Sequence, residues 1–138
     1  MNWKRIAVWS ALIFGAANVI GFCCGLMMAA HWEIYGPTIP IAIDNARLFR
    51  RTAILIVAAL LYWRFALGVA KHRFAHVVAV FAGFLIFDIA LELAMPPHTV
   101  TFEPWGLARA FAAALAGYGL AVWSARRSAG SKPSDAST

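Results

Sequence analysis

The sequence predicts an all-α membrane protein, built as a bundle of four transmembrane helices with short loops. Of its 138 residues, 62% are hydrophobic and only 13% are charged. A soluble protein carries about 25% charged residues. The mean hydropathy is +0.72, and four apolar stretches each reach the ~20 residues that a helix needs to cross a bilayer. The lipid bilayer is therefore the expected environment of this chain.

Four helices make up one predicted transmembrane domain, residues 1–127. Their expected limits are residues 6–30, 46–69, 74–95 and 104–124. The first apolar run follows Lys4 and Arg5, as in a signal peptide. It is much longer than the apolar core of about 7–15 residues in such a peptide, so we interpret it as a retained helix. Pro96 and Pro97 end the third helix, because proline cannot continue a helix.

The second helix has two alternative placements in the membrane. Three arginines lie near its start, namely Arg47, Arg50 and Arg51. If Tyr62 and Trp63 mark the inner membrane interface, a span of ~20 residues begins near residue 43 and holds these arginines in the outer leaflet. If the span is instead residues 52–69, they lie at the interface and Arg64 must extend its side chain to the inner surface. Both placements remain open.

The distribution of basic residues predicts the orientation. One side of the membrane is expected to hold eight of the twelve Lys and Arg residues, and the other side four. Because the side richer in basic residues faces the cytoplasm, we expect both termini there, in a bacterial-type inner (plasma) membrane. Residues 128–138 are small and polar, which predicts a disordered cytoplasmic tail. The net charge of +6 is accounted for by these membrane flanks, so no nucleic-acid partner is expected.

A charged cluster is predicted in the outer half of the membrane. At its centre are Asp88 and Glu92, four residues apart on one face of an otherwise apolar third helix. Arg109 in the fourth helix lies at a similar depth. The complete candidate cluster is Asp44, Arg47, Arg50, Arg51, Asp88, Glu92 and Arg109. We expect the two carboxylates to point into the bundle and to pair with arginines, because pairing offsets part of the cost of a charge in lipid.

Besides ordinary charge at the membrane interface, this charged cluster has two interpretations. In the first it is a set of ion pairs that fixes how the helices fit together. In the second it lines a polar cavity open to the outer face, where arginines receive a phosphate or carboxylate group, or carboxylates relay protons. Asn18, in the middle of the first helix, is expected to hydrogen-bond across the bundle.

Small residues recur at four-residue spacing in two helices. They are Ala17, Gly21, Gly25 and Ala29 in the first helix, and Ala108, Ala112 and Ala116, beside Ala113 and Gly117, in the fourth. Such residues let helices approach closely, either within the bundle or between copies of the chain. We expect packing within the bundle.

Sulfur and imidazole groups also gather in the first helix, at Cys23, Cys24, Met28 and His31. Soft ligands of this kind bind Cu(I) or a similar metal. Cysteine and methionine are equally ordinary packing residues, so we expect neither a metal site nor a cofactor.

The sequence contains no catalytic motif, so we do not expect an enzyme. The expected function is that of a small multi-pass inner-membrane protein, a transporter or flippase-like subunit that uses the charged cluster. The alternative is a non-catalytic accessory or assembly protein, which binds a larger membrane partner or forms a homo-oligomer.

Overall fold

The protein is entirely helical over the residues that the structure describes. A computed structural model describes residues 2–35, 40–94 and 104–130. Its helices are α1 (Trp3–Tyr35), α2 (Pro40–Leu67), α3 (Arg73–Ala94) and α4 (Pro104–Gly130). Three of them, α1, α3 and α4, are long and apolar enough to cross a membrane. The all-α fold and its four helices are thus confirmed.

Several helix ends differ from the prediction. α1 extends beyond residues 6–30 at both ends, and α2 begins at Pro40 rather than 46. α4 continues past 124 to Gly130, so residues 128–130, predicted to begin the disordered tail, belong to this helix. Residues 131–138 lie outside the described residues. The predicted limits followed apolar side chains, whereas polar and basic residues also propagate a helix, and proline suits its first turn.

Helix α2 is not among the three helices that are apolar enough to cross a membrane, because arginines interrupt its apolar sequence, at Arg47, Arg50, Arg51 and Arg64. The helix runs through both alternative placements, so its length does not distinguish them. Tyr62 is only 1% exposed and lies in the core. Its ring therefore does not face lipid, as the ring of an aromatic residue that marks the interface does.

The helices alternate in direction. Arg5, near the start of α1, donates a hydrogen bond of 2.9 Å to the carbonyl oxygen of Gly68, just after α2. Phe74, near the start of α3, contacts Tyr118 in the second half of α4, with ring centroids 5.5 Å apart. Helix α2 packs most extensively against α4, while α1 packs against both α2 and α3. Consequently α1 and α3 run parallel to each other, as do α2 and α4.

The hydrophobic core lies toward one end of the bundle. Its buried members are Ile6, Ile13, Tyr62, Phe65, Ala66, Val69, Val77, Val80, Ala114 and Ala121. They come from the early part of α1 and α3, the late part of α2, and the middle and later part of α4. We call this end, where α1 and α3 begin, the packed end, and the opposite end the open end.

Two close helix contacts hold the packed end together. A Cβ atom added to Gly117 would lie 2.5 Å from the carbonyl oxygen of Ala59, so α4 rests directly on the backbone of α2. Between α1 and α3, the buried hydroxyl of Ser10 lies 3.0 Å from the carbonyl oxygen of Val80. A Cβ atom added to Gly83 would overlap this hydroxyl. Small residues at both places bring the helix backbones together.

The face of α4 that packs is not the one centred on Ala108, Ala112 and Ala116, which are exposed. The buried small residues are Ala113, Ala114, Gly117 and Ala121. The predicted packing of the α1 stripe is also wrong at two positions. A Cβ atom added to Gly21 or Gly25 would meet nothing within 4 Å. Small residues at four-residue spacing occur on more than one face of the same helix. The spacing therefore does not indicate which face packs against a neighbouring helix.

Candidate functional site

A cavity of about 630 Å³ lies between the helices, on the open side of the core, and all four helices line it. Small-molecule sites measure about 300–1,000 Å³, so a ligand of ordinary size fits here. Ile13, Tyr62 and Ala113 line the cavity and are at most 2% exposed. These three residues form its floor, where the cavity meets the packed core.

Five members of the predicted cluster line this cavity. They are Arg50, Arg51, Asp88, Glu92 and Arg109. The three arginines belong to the neighbouring helices α2 and α4, and both carboxylates belong to α3. Asp88, Glu92 and Arg109 are half-buried, whereas Arg50 and Arg51 are exposed. The fold therefore assembles most of the predicted cluster, with the two signs of charge on different walls of one cavity.

The expected ion pairs between these walls are not formed. Within residues 2–35, 40–94 and 104–130, the ion pair observed joins Arg47 to Asp44 at 3.8 Å, on the exposed first turns of α2. Neither of these two residues lines the cavity, so they do not share the site with the other five. Asp88 and Glu92 both line the cavity. Among the described residues, no arginine nitrogen lies within 4.0 Å of either carboxylate.

Arg51 and Arg109 lie at one level of the cavity. The close approach of Gly117 to Ala59 sets the register of α4 against α2. Arg51 precedes Ala59 by eight residues and Arg109 precedes Gly117 by eight residues. At 1.5 Å per residue, each arginine is ~12 Å from this contact. Because α2 and α4 run parallel, both arginines lie on its open side at the same height.

The carboxylates lie closer to the open end than these arginines. Phe81 contacts Phe111 with ring centroids 5.5 Å apart, which sets the register of α3 against α4. Asp88 is ~10 Å beyond Phe81, whereas Arg109 is only ~3 Å beyond Phe111 in the same direction. Glu92 is one turn farther out than Asp88. From the core outward, the Cα positions of the lining residues therefore run from an apolar floor through Arg51 and Arg109, which we call the arginine level, to Asp88 and Glu92, the carboxylate level.

Asn18 also lines the cavity, but it does not bond across the bundle as expected. Its Nδ2 donates to the carbonyl oxygen of Phe14 in its own helix, at 2.9 Å. An apolar wall, which includes Phe84 and Leu85, also lines the cavity. The amino-acid sequence carries no signal for these residues, because an apolar residue beside a cavity resembles one in the core. Two glycines of α1, one turn apart, differ in their relation to the cavity: Gly21 lines it and Gly25 does not. Substitutions at these two positions can therefore be compared with each other.

The sulfur and imidazole residues of α1 lie away from the cavity. Cys23 is exposed and Cys24 is buried, and neither lines the cavity, nor do Met28 and His31. In the described part of the chain, no three His, Cys, Asp or Glu side chains come together in an arrangement that could hold a metal ion.

The fold and the cavity define a class of protein: a four-helix bundle with three helices able to span a membrane, and a charged cavity between its helices. Comparison with family models, with characterised proteins and with solved structures finds no match to the chain. The function is therefore inferred from the cavity itself.

Proposed function

We propose that this chain is a multi-pass membrane protein that binds its substrate in the cavity, as a small transporter or flippase-like subunit. The observation that carries the proposal is the cavity between the helices, with an apolar floor and charged walls. Ionisable residues among membrane helices are costly, and they commonly mark a substrate or ion pathway.

The exposed surface supports a membrane location. Phe22, Ile86, Leu93 and Trp105 are each at least 68% exposed, and they come from α1, α3 and α4. Soluble proteins rarely expose contiguous apolar patches larger than a few hundred Å². In a bilayer these side chains contact lipid without cost. Helix α2 can cross as well, because Arg50 and Arg51 line the cavity.

The charges support an orientation with the packed end in the cytoplasm of a bacterial-type cell. Exposed basic residues lie at this end, including Lys4, Arg64, Lys71, Arg126 and Arg127. The described acidic residues, Glu33, Asp44, Asp88 and Glu92, all belong to the open half of their helices. By the positive-inside rule, the N-terminus and the end of α4 are then cytoplasmic, and the cavity opens outward.

Labelling of single cysteines tests this orientation. In a cysteine-free background, a membrane-impermeant maleimide added to intact cells should label Asp44→Cys. It should label Lys71→Cys only after the membrane is permeabilised, because this residue lies at the packed end. Both positions are exposed, so reactivity itself is matched. The reverse pattern would place the cavity opening in the cytoplasm.

Two leucine substitutions in α1 test the substrate site. A side chain added at Gly21 enters the cavity, whereas one added at Gly25 points into open space away from it. We expect native mass spectrometry to detect a small molecule retained from the native membrane by the wild type and by Gly25→Leu, but not by Gly21→Leu. If the wild type retains none, or if Gly21→Leu retains as much as the wild type, the cavity is not a substrate site.

The alternative function, an accessory protein, is favoured by one observation. Among the described residues, a Cβ atom added at Gly25 meets nothing within 4 Å, and Ala29, one turn farther along α1, is exposed, so another membrane helix can approach closely there. In that case Gly25→Leu, and not Gly21→Leu, should disrupt crosslinking to a partner or to a second copy. The same two variants therefore distinguish the two functions.

A further inference from the structure

The order of chemical groups along the cavity identifies a class of substrate. This inference rests on the proposed function, because it concerns the occupant of the same cavity. The deepest part, around Ile13, Tyr62 and Phe84, is apolar. From Arg51 to Tyr62 along α2 is ~16 Å at the helical rise, a length suited to the hydrocarbon chain of an amphiphile. Such a chain removes apolar surface from water, which is favourable.

The arginine level suits a phosphate group. Arg51 and Arg109 approach from two adjacent helices at the same height, and Arg50 is next to Arg51 in the cavity wall. Guanidinium groups bind phosphate through paired N–H donors with matching planar geometry. A phosphate attached directly to an apolar chain that fills the floor would lie at this level.

The carboxylate level suits a cation. Asp88 and Glu92 are half-buried, one turn apart, and among the described residues no arginine lies within ion-pair distance of either. A partly buried carboxylate is stabilised most by a cation that also donates hydrogen bonds to it. A primary ammonium group supplies three such donors in a small volume.

We propose that the cavity binds a zwitterionic amphiphile whose phosphate is next to the apolar chain and whose ammonium group is farther out. An aminophospholipid of the phosphatidylethanolamine type has its groups in this order. An anionic lipid without an amine would bring no positive charge to the carboxylates. A zwitterion with the opposite order would place like charges together at both levels.

Headgroup competition on purified wild-type protein tests the proposal. Binding is followed by native mass spectrometry or thermal shift with dioctanoyl phosphatidylethanolamine, dioctanoyl phosphatidylglycerol, free phosphoethanolamine and inorganic phosphate. We expect the ethanolamine lipid to bind about tenfold more tightly than the glycerol lipid, the order of effect of one charge-assisted hydrogen bond. Free phosphoethanolamine and phosphate, which lack the chain, should bind more weakly than either lipid.

Variants locate each contact. Asp88→Asn and, separately, Glu92→Gln should reduce the preference for ethanolamine over glycerol, while affinity for the glycerol lipid is kept or improved. Arg109→Gln should weaken binding of both lipids by about tenfold, because it removes a phosphate contact. The matched controls are Asp44→Asn and Arg47→Gln, which alter the same residue types outside the cavity. They should change neither affinity nor preference.

The outcomes separate this inference from the proposed function. If both lipids bind equally and Gly21→Leu blocks the binding of both, the cavity is a substrate site, but the proposed preference for a zwitterionic headgroup is wrong. If free phosphoethanolamine binds as tightly as the lipid, the hydrocarbon chain does not bind at the cavity floor, and the proposal of an amphiphilic substrate is wrong. If no probe binds and the wild type retains no native small molecule, the proposed function fails as well. The wild-type comparison of headgroups requires no variant to fold.

Discussion

Replacing Gly117 with alanine should force α2 and α4 apart. The added Cβ atom would lie 2.5 Å from both the carbonyl oxygen of Ala59 and the Cβ atom of Tyr62, and 2.8 Å from the backbone nitrogen of Trp63. Two of these three atoms belong to helix backbone, which cannot move aside as a flexible side chain can. Ordinary van der Waals contact begins at 3.4 Å. The two helices must therefore separate by roughly 1 Å along their most extensive contact.

A separation of this size is expected to lower the free energy of unfolding by an amount that can be worked out. A gap of about 0.5–1 Å forfeits a quarter to a half of the dispersion energy between facing atoms. Overpacking a well-packed site usually costs about 1–3 kcal/mol, and replacing glycine by alanine within a helix returns about 0.5–1 kcal/mol. We therefore expect the free energy of unfolding of Gly117→Ala to fall by about 1–2 kcal/mol.

Gly119→Ala is the matched control in the same helix, because a Cβ atom added there meets nothing within 4 Å. This control should be neutral or slightly stabilising through helix propensity alone. Unfolding in mixed micelles of mild detergent and SDS, followed by circular dichroism, measures both variants. If Gly117→Ala is as stable as Gly119→Ala, the close contact between α2 and α4 does not exist as described.

Two further predictions concern the contact between α1 and α3 and the two cysteines of α1. Gly83→Ala should lower stability by about 1 kcal/mol or more, because its methyl group overlaps the buried side chain of Ser10, and adding Ser10→Gly should recover part of the loss. A double-mutant cycle of unfolding free energies measures this coupling, and simple additivity would show that the two positions are not in contact. Replacing Cys23 and Cys24 with alanine should leave expression and melting temperature nearly unchanged, because alanine keeps the compact side chain that packing requires at these positions. Copper or mercury bound at a ratio near one, and lost in that variant, would contradict this.

The sequence was sufficient to predict the number, type and order of the helices. Four apolar stretches and the prolines between them carry that information, because both act through local chemistry. It was not sufficient to predict which faces meet. Tyr62 illustrates the difficulty, since a tyrosine near the end of an apolar segment looks the same at a membrane interface and in a core. Gly117 was recognised as a small residue, but its packing neighbours depend on helix rotation, which spacing does not specify.

The charged residues of the site could be predicted because such residues are rare in apolar helices. Their arrangement could not, since the heights of Arg51, Arg109 and Asp88 follow from contacts between distant segments. Asp44 and Arg47 were included because they are close in sequence to the other arginines. In the structure they pair with each other along one helix, three residues apart, as local spacing alone allows.

The contrast between the two ends of the bundle explains why the cavity exists where it does. At the packed end, Ser10 and Gly117 meet the backbones of neighbouring helices, so the helices approach closely. At the open end, bulky and charged side chains line the space between them. Closing that space would desolvate both charged walls, and ion pairs across a dry core seldom recover that cost. In our proposal, the ammonium group of a zwitterionic amphiphile lies beside Asp88 and Glu92, which satisfies these two carboxylates without requiring the helices to close.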